Sequence, residues 1–443
     1  MIPRPLPRRA LLIFFMQTVK FFTLGCKVNQ YDTQSIREQL LRRGLKELTN
    51  KAPADIYLIN TCTVTHRSDA GSLYLIRKAL RENPKAKVMV AGCLTKLDSD
   101  KIRKTSPDCL IVKDKDNLAP IFKKLKIFPH LSPVYRTLNP ETKFISHFHG
   151  RTRAFLKIQD GCDNFCSYCK VPLVRGKPRS RKIEDIIQEA QNLAKNDFKE
   201  IVLCGICLGS FGRGLYPAAH LVDLLKKLEK IKGILRIRLS SIEAGDLDSR
   251  LIKYMAASKK LCRHLHIPLQ SGDDEILKKM NRRYTGKTYL RLIEKIKNSI
   301  PDIAITTDVL VGFPGETESS FRNTLSLIKK IQPEKTHIFP YSPRRGTAAL
   351  RLPVAQVSAS ALKTRIAALR SLADSCSFAY KKKFLGQTRE VLFQARAKDK
   401  IGWWQGFTEN YLKVLFKSGK NLKNCPLPVK LIKIDADYLI ASS

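Results

Sequence analysis

One octet holds the chain's densest chemistry: Cys162-Asp163-Asn164-Phe165-Cys166-Ser167-Tyr168-Cys169. Three thiolates in a C-x3-C-x2-C loop can grip three corners of a [4Fe–4S] cube. No fourth cysteine stands close by, so one iron stays open. An open metal site can bind and activate a small molecule. The alternatives are a zinc site or three unrelated thiols. Zinc favours four closed ligands, usually as two Cys-x2-4-Cys pairs, and this spacing does not supply them.

Other residues must be positioned by the elements around them. Residues 19–24, 55–59 and 87–91 read as apolar strands, with helices expected around 34–43 and 68–82. This βαβαβ pattern implies a parallel sheet with right-handed crossovers. Cys26, Cys62 and Cys93 then follow three successive strands at the edge where open parallel sheets bind ligands. A second three-thiolate cluster is the expectation there, against three buried structural thiols.

Residues 128–150 carry Pro129, Pro133 and Pro140 and read as a linker. Strands are expected again at 154–158, 201–204, 235–239, 264–268, 304–311 and 336–341, with helices such as 183–194 and 289–298 between them. Six βα units suggest a partial (β/α)6 barrel with its site at the strand C-termini. The cysteine octet follows the first of these strands. A helix over 358–380 leads to short apolar runs at 389–393, 401–407, 411–416, 429–434 and 438–441, which read as a small β-barrel. The fold class is therefore α/β: an N-terminal parallel-sheet domain (16–127), a central partial barrel (145–378) and a C-terminal β-barrel (380–443).

With 443 residues, the chain is long enough for several cores. Its net charge of +42, from 81 Lys and Arg against 39 Asp and Glu, points to a polyanionic partner. A generally basic proteome is the alternative. Arg175, Lys177, Arg179 and Arg181, just past the octet, could guide phosphates; a solvated basic surface is the competing reading. In the last barrel, Trp403 and Lys413 are the candidates for stacking a base and holding a phosphate, although each of Trp403, Trp404, Phe407 and Tyr411 reads first as core. Twelve cysteines in so long a chain do not suggest a secreted disulfide scaffold. No apolar run is long enough to span a membrane. Residues 1–15 read as an extension before a start at Met16. The expected setting is the cytoplasm.

The octet resembles the signature of the radical S-adenosylmethionine (SAM) enzymes. Four further motifs match the radical SAM methylthiotransferases: Ser240-Ser241-Ile242-Glu243, His266-Ile267-Pro268-Leu269-Gln270-Ser271-Gly272, Thr307-Asp308 through Thr317, and Tyr341-Ser342-Pro343-Arg344. The opening Gly25-Cys26-Lys27-Val28-Asn29-Gln30 is similar to the branch that modifies threonylcarbamoyladenosine in tRNA. The isopentenyladenosine branch usually has Gln-Met-Asn after this cysteine, and the branch acting on a ribosomal protein has Pro-Lys-Asn. The resemblance implies two [4Fe–4S] clusters, one on Cys162, Cys166 and Cys169 and one on Cys26, Cys62 and Cys93. It implies SAM as radical source and methyl donor, with Tyr168, Ser240, Glu243, Gln270, Asp308 and Gly312 as candidate SAM contacts. Glu243 could instead be a solvated loop carboxylate, and Asp308 a helix or turn partner. His264 and His266 read as barrel packing.

The resemblance also implies a TRAM-type RNA-binding barrel, a tRNA anticodon stem-loop as partner, an electron donor such as a flavodoxin or ferredoxin, a sulfur source, no membrane, and a monomer. The reaction it implies adds a methylthio group to carbon 2 of the modified adenosine at the anticodon. The unactivated adenine C–H bond needs cofactor radical chemistry. The competing readings are isopentenyladenosine, a ribosomal aspartate, or a non-catalytic iron–sulfur RNA-binding protein. Cys207 stands where relatives tend to carry a polar residue, and Gly92-Cys93-Leu94-Thr95-Lys96 lacks their Ala-Gln. Neither departure is expected to touch a cluster ligand, and Cys204 and Cys207 read as strand-end packing.

Overall fold

The computed structural model describes residues 17–115, 117–125, 127 and 144–442. The N-terminal extension and the three linker prolines lie outside these residues.

The first sheet is fully parallel. Its strands are β1 (Thr18–Thr23), β2 (Lys46–Glu47), β3 (Ile56–Thr61), β4 (Lys87–Gly92) and β5 (Leu110–Ile111), in the order β2-β1-β3-β4-β5. Central β3 is buried along its whole length, as a strand covered on both faces must be. The first helix, Lys27–Arg42, begins directly after Cys26, a full two turns before the sequence pattern suggests. Its first turns carry Asn29, Asp32 and Thr33, polar yet buried, so apolar periodicity could not mark the start.

The central strands are β6 (Arg153–Lys157), β9 (Glu200–Cys204), β10 (Arg236–Leu239), β11 (His264–His266), β12 (Ala304–Val311) and β13 (Lys335–Pro340). A small hairpin of β7 (Gln159–Asp160) and β8 (Arg179–Ser180) brackets the cysteine octet. The sheets β10-β9-β6 and β11-β12-β13 are joined by isolated parallel bridges, Ile237 to Leu261 and Ser241 to His266. The result is an open six-stranded parallel barrel.

The N-terminal sheet covers its open side. Lys157 of β6 donates to Asp32 at 2.7 Å, while Arg344, just past β13, donates to Asp69 at 2.6 Å and to Thr63 O at 3.0 Å. Residues 144–150, expected as linker, are packed instead. The backbone N–H groups of Ser146 and His147 donate to the buried Glu38 carboxylate at 2.9 Å, and Ile145 is fully buried. The proline signal reached into this segment because its anchor, Glu38, lies far away in sequence.

The C-terminal strands β14 (Thr388–Arg396), β15 (Trp403–Thr408), β16 (Lys413–Lys417), β17 (Pro426–Asp435) and β18 (Tyr438–Ser442) close as β14-β15-β16-β18-β17. Trp404 lies in the core of this barrel. Arg236 and Arg238 of β10 donate to the carbonyls of Phe407, Glu409 and Thr408 at 2.9–3.3 Å, which docks it on the central barrel.

Candidate active site

Each cysteine triplet follows the C-terminal ends of parallel strands. Cys62 and Cys93 directly follow β3 and β4, and Cys26 follows β1, so parallel pairing puts all three at the same edge. Gly92, at φ +94°, makes the last turn possible, because a Cβ there would meet Thr61 O at 2.3 Å. Asn29 ties the turn together: its Nδ2 donates to Leu24 O at 2.8 Å and to Thr61 O at 2.9 Å.

The octet is held from below by residues 279–282. Ser167 donates to Lys279 O at 2.7 Å and Asn281 donates to Phe165 O at 3.0 Å. Each sulfur of the triplet has a donor. Asn164 N donates to Cys162 Sγ at 3.5 Å, Arg282 Nη1 to Cys166 Sγ at 3.3 Å, and Val171 N to Cys169 Sγ at 3.4 Å. Burial pushes the Cys169 thiol up to about 12 and raises Cys166, against the opposing charge of Arg282. Cys162 is lowered to about 7, first by a hydrogen bond from Cys207. Cys207 is not simple strand-end packing: its Sγ accepts from Asn164 Nδ2 of the octet at 3.8 Å and donates to Asp246 at 3.5 Å, because the turn after β9 folds back over the octet.

Arg175 is a second correction. Only 8% exposed, it cannot guide RNA phosphates. It donates to Asp160 at 2.8 Å and to Asn29, and stands 3.6 Å from Asp32. Burial raises the Cys93 thiol, and the Arg175 charge opposes that rise. Asp32 is likewise pushed up by burial, but Lys115, Lys157 and Arg175 outweigh this and hold it well below the usual carboxylate range. Arg175 follows one triplet in sequence and balances the charge of the other in space. Arg181 is also committed inward, donating to Glu189 at 2.6 Å and to Tyr31 Oη at 3.0 Å. Lys177 and Arg179 remain exposed.

The candidate SAM contacts are arranged as follows. Ser240, Glu243, Gln270 and Gly312 follow the C-terminal ends of β10, β11 and β12. The buried Ser240 hydroxyl has no partner among the described residues, as a side chain awaiting a ligand would. Glu243 is held by Arg282, whose Nη1 donates to it at 3.2 Å, so it is no free loop carboxylate. Tyr168 packs edge-on to Phe313, with centroids 6.4 Å apart. Asp308 is neither a helix nor a turn partner. It sits within β12, 3.2 Å from His266 Nε2. Gly312 needs correcting: its missing Cβ faces Leu362 at 2.8 Å and its N–H is taken by Glu316 at 3.1 Å. Its φ of +79° and helix packing, rather than close approach of a ligand, require glycine there.

Arg282, Asp160, Asp32 and Arg344 escaped the sequence reading. Arg344 and Asp32 stood inside motifs that carried the family resemblance, and nothing in the spacing marked Arg282 or Asp160. In the last barrel Trp403 is half-exposed with Lys400 Nζ 5.7 Å above its ring. Phe407 and Tyr411 turn toward Arg153 of the central barrel. Lys413 shares Asp437 with Lys335 and Lys381.

Residues 156–328 match the model of the radical SAM superfamily, and residues 18–113 match that of "Uncharacterized protein family UPF0004". The chain is 36% identical over 432 residues to a Bacillus subtilis protein named threonylcarbamoyladenosine tRNA methylthiotransferase MtaB, covering 96% of this chain and 95% of that protein. It is 34% identical over 426 residues to the tRNA-2-methylthio-N(6)-dimethylallyladenosine synthase of Pelotomaculum thermopropionicum, covering 94% and 95%. Among solved structures, it is similar in fold to the radical SAM methyltransferase TsrM of Kitasatospora setae, with a TM-score of 0.53 at 15% identity over 74% of this chain and 77% of that one. With the octet at the mouth of a six-stranded barrel and similarity running from end to end, the chain belongs to the radical SAM methylthiotransferase family.

Proposed function

We propose that this protein is a tRNA methylthiotransferase that converts N6-threonylcarbamoyladenosine beside the anticodon to its 2-methylthio derivative, with SAM as radical source and methyl donor. The observation that carries this reading is the full-length similarity to curated relatives bearing that substrate in their name. Cys162, Cys166 and Cys169 would hold one [4Fe–4S] cluster, which would supply one-electron reduction of SAM, and Cys26, Cys62 and Cys93 would hold a second, which would supply the sulfur-transfer site.

The donor sets fit these groups, since each triplet comes with a buried guanidinium to offset thiolate charge. Arg282 holds Glu243 beside Cys166, and the pair orients the polar end of SAM. Ser240 offers an unpaired hydroxyl to the same ligand. Tyr168 and Gln270 border it. Arg175 and Asp32 hold the two triplets at a set separation. The N-terminal sheet closes the mouth over SAM and excludes water.

The last barrel acts as a TRAM domain, with Trp403, Lys413 and exposed Arg179 on the RNA. The three units are 16–127, 145–378 and 380–443. An external electron donor of the flavodoxin or ferredoxin kind and a sulfur source complete the cycle. No helix among the described residues is long and apolar enough to cross a membrane, and the protein works as a monomer in the cytoplasm. Mass spectrometry of tRNA nucleosides from cells with and without the gene tests this reading. Loss of the methylthio-threonylcarbamoyl nucleoside supports it, and loss of the isopentenyl analogue instead overturns it.

A further inference from the structure

Arg282 reaches the octet by way of a helix end. The short helix Asp274–Lys279 stops where Asn281 takes a left-handed φ of +58°, a conformation that asparagine tolerates. The Arg282 backbone N–H then donates to Leu277 O at 2.9 Å and closes the turn. From the other side, Ser167 N–H donates to Met280 O at 3.0 Å. Turn and octet are thus joined through their backbones, and Arg282 is delivered to the sulfurs.

The Arg282 side chain is only 4% exposed, and each of its three nitrogens has a partner. Nη1 donates to Cys166 Sγ at 3.3 Å and to Glu243 Oε1 at 3.2 Å, while Nη2 donates to the second oxygen of Glu243. Nε donates to Tyr284 Oη at 3.0 Å, and that hydroxyl donates to Leu269 O at 2.8 Å, just past β11. Tyr284 therefore fixes the guanidinium from behind. The sulfurs of Cys162 and Cys169 accept from the neutral backbone N–H groups of Asn164 and Val171 instead. Cys166 is the octet sulfur bonded to a full charge.

Hydrogen bonds to ligand sulfurs and net local charge set the potential of an iron–sulfur cluster. A cation against such a sulfur stabilises the form that has gained an electron, and burial keeps water from screening it. The Glu243 carboxylate opposes this by neutralising part of the same cation.

We propose that Arg282 is a positioning residue that raises the reduction potential of the [4Fe–4S] cluster held by Cys162, Cys166 and Cys169, with Glu243 as the opposing charge. This rests on the cluster reading of the octet. One electron enters from the external one-electron donor, and no proton moves with it, because the guanidinium stays protonated throughout. The competing role is a structural ion pair that merely ties the turn to the strand ends. The two roles differ in sign: removing either partner of a structural pair has the same effect, whereas removing opposite charges moves a potential in opposite directions.

The test is potentiometry, followed by electron paramagnetic resonance, of the full-length, anaerobically reconstituted protein without SAM. The signal lost in Cys166→Ala belongs to the octet, and the signal that remains is the internal control. At a fixed potential, Arg282→Met is expected to lower the reduced-to-oxidised ratio of the octet signal roughly tenfold, equivalent to about 59 mV for one electron. Arg282→Lys keeps the charge and recovers most of that loss. Glu243→Gln moves the midpoint upward, and the control signal keeps its midpoint in all three variants. A wild-type midpoint in iron-loaded Arg282→Met overturns the inference and leaves the functional reading intact. Should Arg282→Met take up no iron, Glu243→Gln decides, and an unmoved or lowered midpoint there overturns the inference. If Cys166→Ala loses no signal, the octet holds no cluster, and the functional reading falls together with this one.

Discussion

At the residue scale, the electrostatics of single side chains decide how each triplet behaves. The Cys166 sulfur stands in the octet loop and accepts from Arg282 Nη1 at 3.3 Å, so removing it removes a ligand without breaking a strand. Cys166→Ala is expected to abolish SAM cleavage under dithionite while stem-loop binding persists. Wild type should hold about eight irons and this variant about four; full iron loading in the variant would remove Cys166 from the cluster. The Cys162 thiol is lowered to about 7, with a hydrogen bond from Cys207, on the turn after β9, as the first cause. A lowered thiol pKa means more thiolate at neutral pH, and losing the donor raises it again. Cys207→Ala should therefore slow alkylation of Cys162 in the metal-free protein at pH 7 several-fold, read by peptide mass spectrometry. Equal rates would show that the two sulfurs do not share a proton.

At the element scale, the joints between units rest on few residues. Tyr411, at φ +70°, places its ring against Arg153, Arg238 and His264 and so plugs the central barrel with a side chain from the C-terminal one. Tyr411→Ala is expected to cost about 2–3 kcal/mol by denaturant unfolding; a change near zero would mean the barrels are docked by their polar links, such as Arg236, Arg238 and the Arg389–Asp302 pair. Glu334, at the start of β13, is raised to about 7, chiefly by burial, against the pull of Lys381. A carboxyl raised on folding adds stability while protonated. That contribution is complete below its unfolded value near 4.3 and is lost as pH rises through about 7. Glu334→Gln should thus be more stable than wild type at pH 8 and nearly equal at pH 4. A pH-independent difference in Tm would contradict the assignment.

At the scale of the whole molecule, the +42 charge is unevenly spent. Arg175 and Arg181 serve internal pairs, as does Arg344. Lys96, Lys113 and Arg179, exposed around a cavity of about 1010 Å³ at the junction of the N-terminal sheet and the barrel, keep their charge for a partner. Stem-loop affinity should fall linearly with the logarithm of salt concentration. Each charge reversal at Lys96, Lys113 or Arg179 should reduce that slope by about 1, while Arg175→Ala should lower stability instead. An unchanged slope in all three reversals would place the RNA on another face.

The sequence alone determined what is local or periodic. The octet lies within one turn-rich segment, and the strand-end placement of Cys26, Cys62 and Cys93 follows from alternating β and α runs whose parallel pairing admits one edge. The six barrel strands and the five C-terminal runs were legible as separate periodic segments, but not the order in which the last five pair, where β16 lies beside β18. Tertiary structure decided which charges face inward and which side chains meet. Arg175 and Arg179 stand four residues apart in one basic run, yet one is buried against Asp32 and Asp160 and the other exposed. Cys207 meets Asn164 of the octet, Arg282 meets Cys166, and residues 146–147 meet Glu38 only after the chain closes on itself. Burial and pairing are set by partners distant in sequence, and residue type and spacing carry no record of that distance.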